Sequence, residues 1–488
     1  MSTSTEVQRD TRFFGHPRGL ANLFGVEMWE RFSYYGMLSI LPFYLYYEID
    51  RGGLALPKAP ALGIVGAYGG LVYLATVVGS WVADRLLGSE RTLFYSAALI
   101  MLGHISLAVL PGLAGLGVGL ACVAIGSGGL KANATGIVGT LYAPDDERRD
   151  GGFTIFYMGI NVGAFVGQIL TGLVWGNEND HRFHLAFGLA AVGMAFGLIQ
   201  YSLGRKNLPD KAGEVPNPLP ASNRRLVVGG VVVVLALIVV LLLSGIVTAE
   251  NLADVVIWTV GIISVIYFAV ILSSRKLSGD ERSRVYSFIP MFIASAAFFS
   301  LYQQIFTVLA TYADTRLNRR IFGWEMPIPW VGSVGPVWVI LFSPLFALLW
   351  TKLGSRQPSS PLKFVGSTIV MGVAFLLFLP FTGTGTNGTP LIAMVLILAV
   401  FTLGELGLSP VGLSLATKLA PEAFRTQMVA LNFLSISFGT AMSGKLAQYY
   451  SPDHEGAYFG IVGGVAIVIG ILLFAASPFI RRMMKGVH

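Results

Sequence analysis

Residues 231–243 read VVVVLALIVVLLL, thirteen positions without one polar side chain. A helix built from them is apolar on every face, so it is either buried or bathed in lipid. The apolar stretch runs to about 225–247, enough to cross a hydrocarbon core of about 30 Å at 1.5 Å per residue. Comparable runs recur along the chain, whereas barrel strands would alternate over about 10 residues. Composition agrees: of 488 residues, 54% are hydrophobic and 12% charged, against about 25% charged in soluble domains. Mean hydropathy is +0.69. The expected class is therefore an all-α polytopic membrane protein.

Just before this run lies RKNLPDKAGEVPNPLPASNRR, residues 205–225, a polar, proline-rich linker. Outward from it, fourteen helices are expected, near 20–48, 61–87, 92–111, 114–142, 152–176, 183–204, 225–247, 251–274, 285–313, 331–355, 362–382, 390–418, 424–449 and 456–482. The pair at 225–274 is nearly featureless and suits a lipid-facing or spacer role. Setting it aside leaves six plus six, the organisation of transporters that rock one half against the other. The expected division is an N-terminal six-helix bundle, 1–204, a linker with two extra helices, 205–284, and a C-terminal bundle, 285–488. WVADRLLGSER (81–91) is echoed by LLWTKLGSR (348–356) at the equivalent place in the second half.

Orientation follows positive charge. With the N-terminus inside, 24 of the 33 lysines and arginines fall in inside segments, six outside and three within spans. Both termini are thus expected in the cytoplasm. The first nineteen residues lack an apolar signal region and read as a polar cytoplasmic tail. The net charge of +7 resides in loops and does not call for nucleic acid. Cys122 is the only cysteine, so neither a disulfide framework nor a cysteine metal site is expected.

Within the first helix, EMWERFSYY (27–35) concentrates three charges. Each costs about 2.5–3.5 kcal/mol at a span's centre on translocon scales. Glu27, Glu30, Arg31 and Tyr34 follow i, i+3, i+4, i+7, with Tyr35 beside them, on one face of about 140°. Glu27 and Arg31 form an i,i+4 pair, which leaves one carboxylate in excess. Lys131, in the glycine-rich GSGGLKANATG of the fourth helix, could balance it. A purely structural ion network competes with this reading, but buried ion pairs stabilise poorly compared with apolar replacements. Glu405, in FTLGELGLSP, is a lone buried acid that wants a positive partner, such as a substrate amine; the competing reading is a protonated core glutamate. Tyr68, Tyr73, Tyr157, Asn161, Gln168, Tyr302, Gln303, Gln304 and Asn432 place polar groups on otherwise apolar helices, as a hydrated cavity requires.

These residues resemble the proton-coupled oligopeptide transporter family of the major facilitator superfamily. Glu27-x-x-Glu30-Arg31-Phe32-x-Tyr34-Tyr35 is similar to the family's helix 1 signature. GSWVADRLLGSERT (79–92) resembles the superfamily's cytoplasmic loop motif, GSGGLKANATGIVGTLY (126–142) the helix 4 signature, FTIFYMGINVGAF (153–165) that of helix 5, and GELGLSPVGLSLATKLAP (404–421) that of helix 10. The resemblance implies a major facilitator fold with two extra helices and proton-coupled import of di- and tripeptides by a monomer. It implies no cofactor beyond the proton gradient. The peptide's carboxylate would meet Arg31 and Lys131, and its amine Glu405. Tyr34, Tyr35, Tyr73, Asn161, Gln303 and Asn432 would complete the pocket. Glu27 and Glu30 would couple protons, with Arg31 and Lys131 as counter-charges, and Asp84 and Arg85 would pin gate helices.

Where the family usually has an arginine and a glutamate forming an outer gate salt bridge, this chain has Leu38 and Gln303. Coupling is therefore expected to rest on the helix 1 and helix 4 cluster with Glu405. Gly335 and Asn432 stand in place of a usual asparagine and a common tryptophan, which would reshape the pocket. A membrane enzyme is disfavoured, since only His104 lies clearly within a span and no HExxH or plausible serine–histidine pair occurs. Nor is there the repeated filter of a channel. A carrier of nitrate, sugar or drugs is the alternative; only a zwitterionic substrate needs both the cations and Glu405.

Overall fold

The computed structural model describes residues 10–143, 146–177 and 180–487; the start of the polar N-terminal tail lies outside them. The chain is almost wholly helical. The first six helices are α1 (Arg18–Tyr46), α2 (Lys58–Val82), α3 (Ser89–Val109), α4 (Gly112–Thr140), α5 (Arg149–Trp175) and α6 (Phe183–Gly204). Next come α7 (Ala221–Leu243) and α8 (Leu252–Ser273). Then follow α9 (Gly279–Tyr302), α10 (Val308–Thr315), α11 (Pro329–Leu353), α12 (Ser360–Leu376), α13 (Leu391–Leu419), α14 (Arg425–Ala447) and α15 (Glu455–Met483). Among the described residues, 12 helical segments have both the length and the apolar composition to cross a membrane. Helices α1 and α14 have the length without the composition. In α1 the price is set by its three buried charges.

Helices α1 to α6 pack on one another, as do α9 to α15. Small residues set the closest crossings: a side chain on Gly79 of α2 would collide with the backbone of Gly129 in α4. The two bundles meet at the end opposite the chain termini. There Gly66 of α2 lies against Gly444 of α14 with no room for a side chain. Nearby, the Ser437 hydroxyl donates to the Gly70 carbonyl at 2.7 Å, and Trp330 Nε1 donates to the Ile169 carbonyl at 3.0 Å.

The two extra helices behave differently. Among its described residues, none of α7 is buried, in keeping with contact to lipid. Helix α8 instead packs against α2 and α14, one from each bundle. Lys445 of α14 pairs with Asp254 of α8 at 2.8 Å.

Two expectations need correction. The ninth span begins at Gly279, not 285, because Ser278 and Glu281 form a capping box. The same span is not continuous: a 3-10 turn, Gln303–Phe306, and a non-helical Thr307 (φ −126°, ψ −87°) divide α9 from α10. Gln304 anchors the turn, donating to the Ser300 carbonyl and accepting from the Tyr458 hydroxyl at 2.8 Å.

Asp84 and Arg85 stand at the end of α2 and, among the described residues, contact the linker. They pair with each other at 3.5 Å and hold the proline-rich linker. Asn217 donates through its side chain to Asp84 at 2.9 Å, and the Asn217 and Leu219 amides donate to the carbonyls of Asp84 and Arg85. The echo in the second half is real in backbone terms: Gly88 and Gly354 both close their helices at positive φ, 77° and 46°.

Candidate functional site

Helix α1 turns its charged face toward α4 and the space between the bundles. Arg31 Nε donates to Glu27 Oε1 at 2.9 Å and lies 2.8 Å from Glu30 Oε2. All three side chains are buried. The other Glu30 oxygen accepts from the Ser127 hydroxyl of α4. Arg31 Nη2, by contrast, is buried without a hydrogen-bond partner. Such a donor is costly to leave unmet, and a ligand carboxylate would satisfy it.

Lys131 follows Ser127 by one helical turn. Its Nζ sits 4.1 Å from the centre of the Tyr73 ring, and it makes no salt bridge among the described residues. Two carboxylates and two cations thus form a locally neutral group in a low-dielectric setting. Protonating one carboxylate would leave a surplus positive charge able to receive an anion.

Between the bundles lies a cavity of about 240 Å³. Arg31, Tyr35, Tyr73, Lys131 and Asn161 line it on one side, and Tyr302, Gln303 and Glu405 on the other. Glu405 rises from α13 beside Gly404, which packs on Phe298 and Ser367. It has no basic partner among the described residues. Tyr157, also in the lining, is 39% exposed, and Thr135, one turn beyond Lys131 toward the termini, is exposed too. The cavity therefore opens toward the end that carries the chain termini.

Seven of the expected pocket residues (Arg31, Tyr35, Tyr73, Lys131, Asn161, Gln303 and Glu405) line this cavity. Glu27 and Glu30 stand behind Arg31 and do not. Tyr34 is buried with its ring stacked on Tyr68, 6.3 Å between centres, so it supports Tyr35 rather than lining the cavity. Asn432 points toward Gly412 of α13. Its neighbour Phe433 and Ile436 supply the lining from α14, because one residue along a helix is a rotation of about 100°.

Leu38 is packed in the core at 4% exposure, away from the lining. Gly335 lines the cavity with open space where a side chain would stand, so the absent asparagine leaves it wider. Sequence reasoning passed over Phe299, Phe306 and Pro336. Phe306 stacks on Tyr35 at 5.8 Å; in a span, an apolar residue facing a cavity looks the same as one facing lipid.

Residues 90–462 match the family model described as PTR2, the POT family. The chain belongs to the POT family. It is 41% identical to the "Di-/tripeptide transporter" of Lactococcus lactis subsp. cremoris, over 98% of both chains. The fold matches a solved peptide transporter POT, a glutamate-to-glutamine mutant in complex with sulfate, with a TM-score of 0.92, 45% identity and 98% of each chain covered. The same mutant in complex with alafosfalin matches at a TM-score of 0.90, 45% identity and 97% of each chain. As a POT protein the chain is a multi-pass membrane transporter with a major facilitator type of fold.

Proposed function

We propose that this POT protein imports di- and tripeptides together with protons, by alternating access across the bacterial inner membrane, as a monomer with both termini in the cytoplasm. Residues 1–204 and 285–488 are the moving halves, with 205–284 as linker and extra helices, and the proton gradient is the only driving force. One observation carries the reading: one cavity between the bundles holds Arg31 and Lys131 on one wall and, on the other, Glu405, which has no basic partner among the described residues. A zwitterion of dipeptide length neutralises both walls at once and favours the closed form, since it binds that form better than either open one. Named relatives that transport peptides support it.

In the cycle, a proton reaching Glu30 or Glu27 loosens its hold on Arg31. Arg31 then offers its guanidinium, with Lys131, to the peptide carboxylate, while Tyr35, Tyr73, Asn161 and Gln303 contact the peptide backbone. Release of proton and peptide toward the termini restores the pairs at 2.8 and 2.9 Å.

Proteoliposomes loaded with a pH-sensitive dye test this. Added dialanine acidifies the lumen, whereas nitrate and glucose do not. Proton movement driven by nitrate or glucose, with none from dialanine, would overturn the peptide reading in favour of another small-solute carrier.

A further inference from the structure

Asp314, the penultimate residue of α10, stands where the bundles close on each other at the end away from the termini. Its two carboxylate oxygens accept from different tyrosines of the opposite bundle: Tyr47 donates to Oδ1 at 2.9 Å and Tyr46 to Oδ2 at 3.0 Å. Neither Asp314 nor the tyrosine pair belongs to the charged cluster described above. The interaction joins the C-terminal end of α1 to α10 with one carboxylate, held by two hydroxyl donors.

Cations gather around the tyrosine pair. Lys58 of α2 lies over the Tyr46 ring at 4.8 Å, and Arg51 lies over the Tyr47 ring at 4.0 Å. Arg319, in the segment after α10, adds positive charge near Tyr47 and is itself paired with Glu325 at 2.7 Å. Asp314 is half-buried, so water at that end reaches it.

Helix α10 is also the outer part of a broken span. The turn at Gln303–Phe306 and the non-helical Thr307 separate it from α9, and such breaks absorb the dihedral changes of hinge motions. Gln303 at the base of the break lines the cavity. Thr307 and Thr311 follow it at four-residue steps, both buried. Asp314 comes three residues further on. The clamp and the cavity are therefore two ends of one short lever.

We infer that Asp314 is a proton-operated latch: ionised, it holds Tyr46 and Tyr47 and keeps the outer end closed, and a proton taken from the outer water releases α10 and opens that end. This rests on the peptide–proton reading and adds a titrating site that the α1 and α4 cluster does not contain. It also gives a chain with Leu38 and Gln303 in place of a charged outer pair another means of sensing external protons. The direction follows from bond strength. Hydrogen bonds to a carboxylate are roughly twice as strong as neutral ones, so protonation weakens both at once. Because the closed form binds the ionised carboxylate better, lowering the pH shifts the population toward the open form.

Spin labels at Ile49→Cys and Phe322→Cys, in a Cys122→Ser background, report the opening directly. Both positions are exposed, at 77% and 106%, on opposite bundles at the outer end. Distances are measured by double electron–electron resonance as pH is lowered from about 8 to about 4, a span that covers protonation of carboxylates in general. The otherwise unaltered protein shifts from mostly short to mostly long distances. In Asp314→Asn the long population is the majority at every pH. The Tyr46→Phe, Tyr47→Phe double variant keeps the carboxylate and likewise favours long distances at neutral pH, so the test stands even if Asp314→Asn fails to elute as a monodisperse species. A pH dependence in Asp314→Asn equal to the parent's, or short distances at neutral pH in the double phenylalanine variant, would overturn the latch. No peptide is present in these measurements, so their failure is separate from a failure of dialanine to move protons.

Discussion

In liposomes with an inward proton gradient, Glu30→Gln equilibrates dialanine without concentrating it. A gradient of one pH unit is worth about 1.4 kcal/mol per coupled proton, enough for about tenfold accumulation; the variant settles near a ratio of about one. The reason lies in the geometry of α1. Glu30 is fully buried, accepts from Ser127 and lies 2.8 Å from Arg31 Nε. Glutamine keeps its shape and can still accept from Ser127, so the fold survives. What it removes is the charge whose neutralisation frees Arg31. The measurement is internal dialanine against time, with and without an uncoupler. Accumulation equal to that of the parent protein would move the proton site away from Glu30.

The second large effect falls on binding. Glu405→Gln lowers affinity for dialanine by roughly 10- to 100-fold, the loss expected when a hydrogen bond to a charged group worth about 1.5–3 kcal/mol is given up. Gln keeps the volume beside Gly404 and Gly407, where Ser367 packs closely, and so leaves the cavity's shape in place. Affinity for N-acetyl dialanine, which has no ammonium group, is the same in both proteins. Equal losses for both ligands would mean that Glu405 shapes the pocket without meeting the amine. Calorimetric titration in detergent gives both numbers.

Much of this was legible in the sequence. The Glu27-to-Tyr35 run carried both the charged face of α1 and the family likeness, because intramembrane charge is costly and seldom accidental. The linker at 205–225 and the apolar run after it separated six, two and six helices. What the pattern left open was rotation and breakage. Period 3.6 assigns Tyr34 and Tyr35 to one face, yet the facing helix decides that Tyr35 meets the cavity while Tyr34 stacks on Tyr68. Asn432 and Phe433 differ by one position, and packing on Gly412 gives the lining to the phenylalanine.

The break at Gln303–Thr307 has no proline to announce it. It is held by Gln304, whose partner Tyr458 is 154 residues away. Asp84 and Arg85 were placed at the right end of the right helix, but their partner is the linker, which a local motif cannot name. Asp314 drew no notice in the sequence because nothing near it in the chain shows that Tyr46 and Tyr47 fold onto it.

The decisive measurement changes the ligand and leaves the protein alone: titration of the unaltered transporter with dialanine, N-acetyl dialanine and dialanine amide. If a peptide spans the cavity from Arg31 and Lys131 to Glu405, blocking either end weakens binding by roughly 10-fold or more, as expected for a lost hydrogen bond to a charged group. Undiminished binding of either blocked peptide would contradict a zwitterion held between the two bundles.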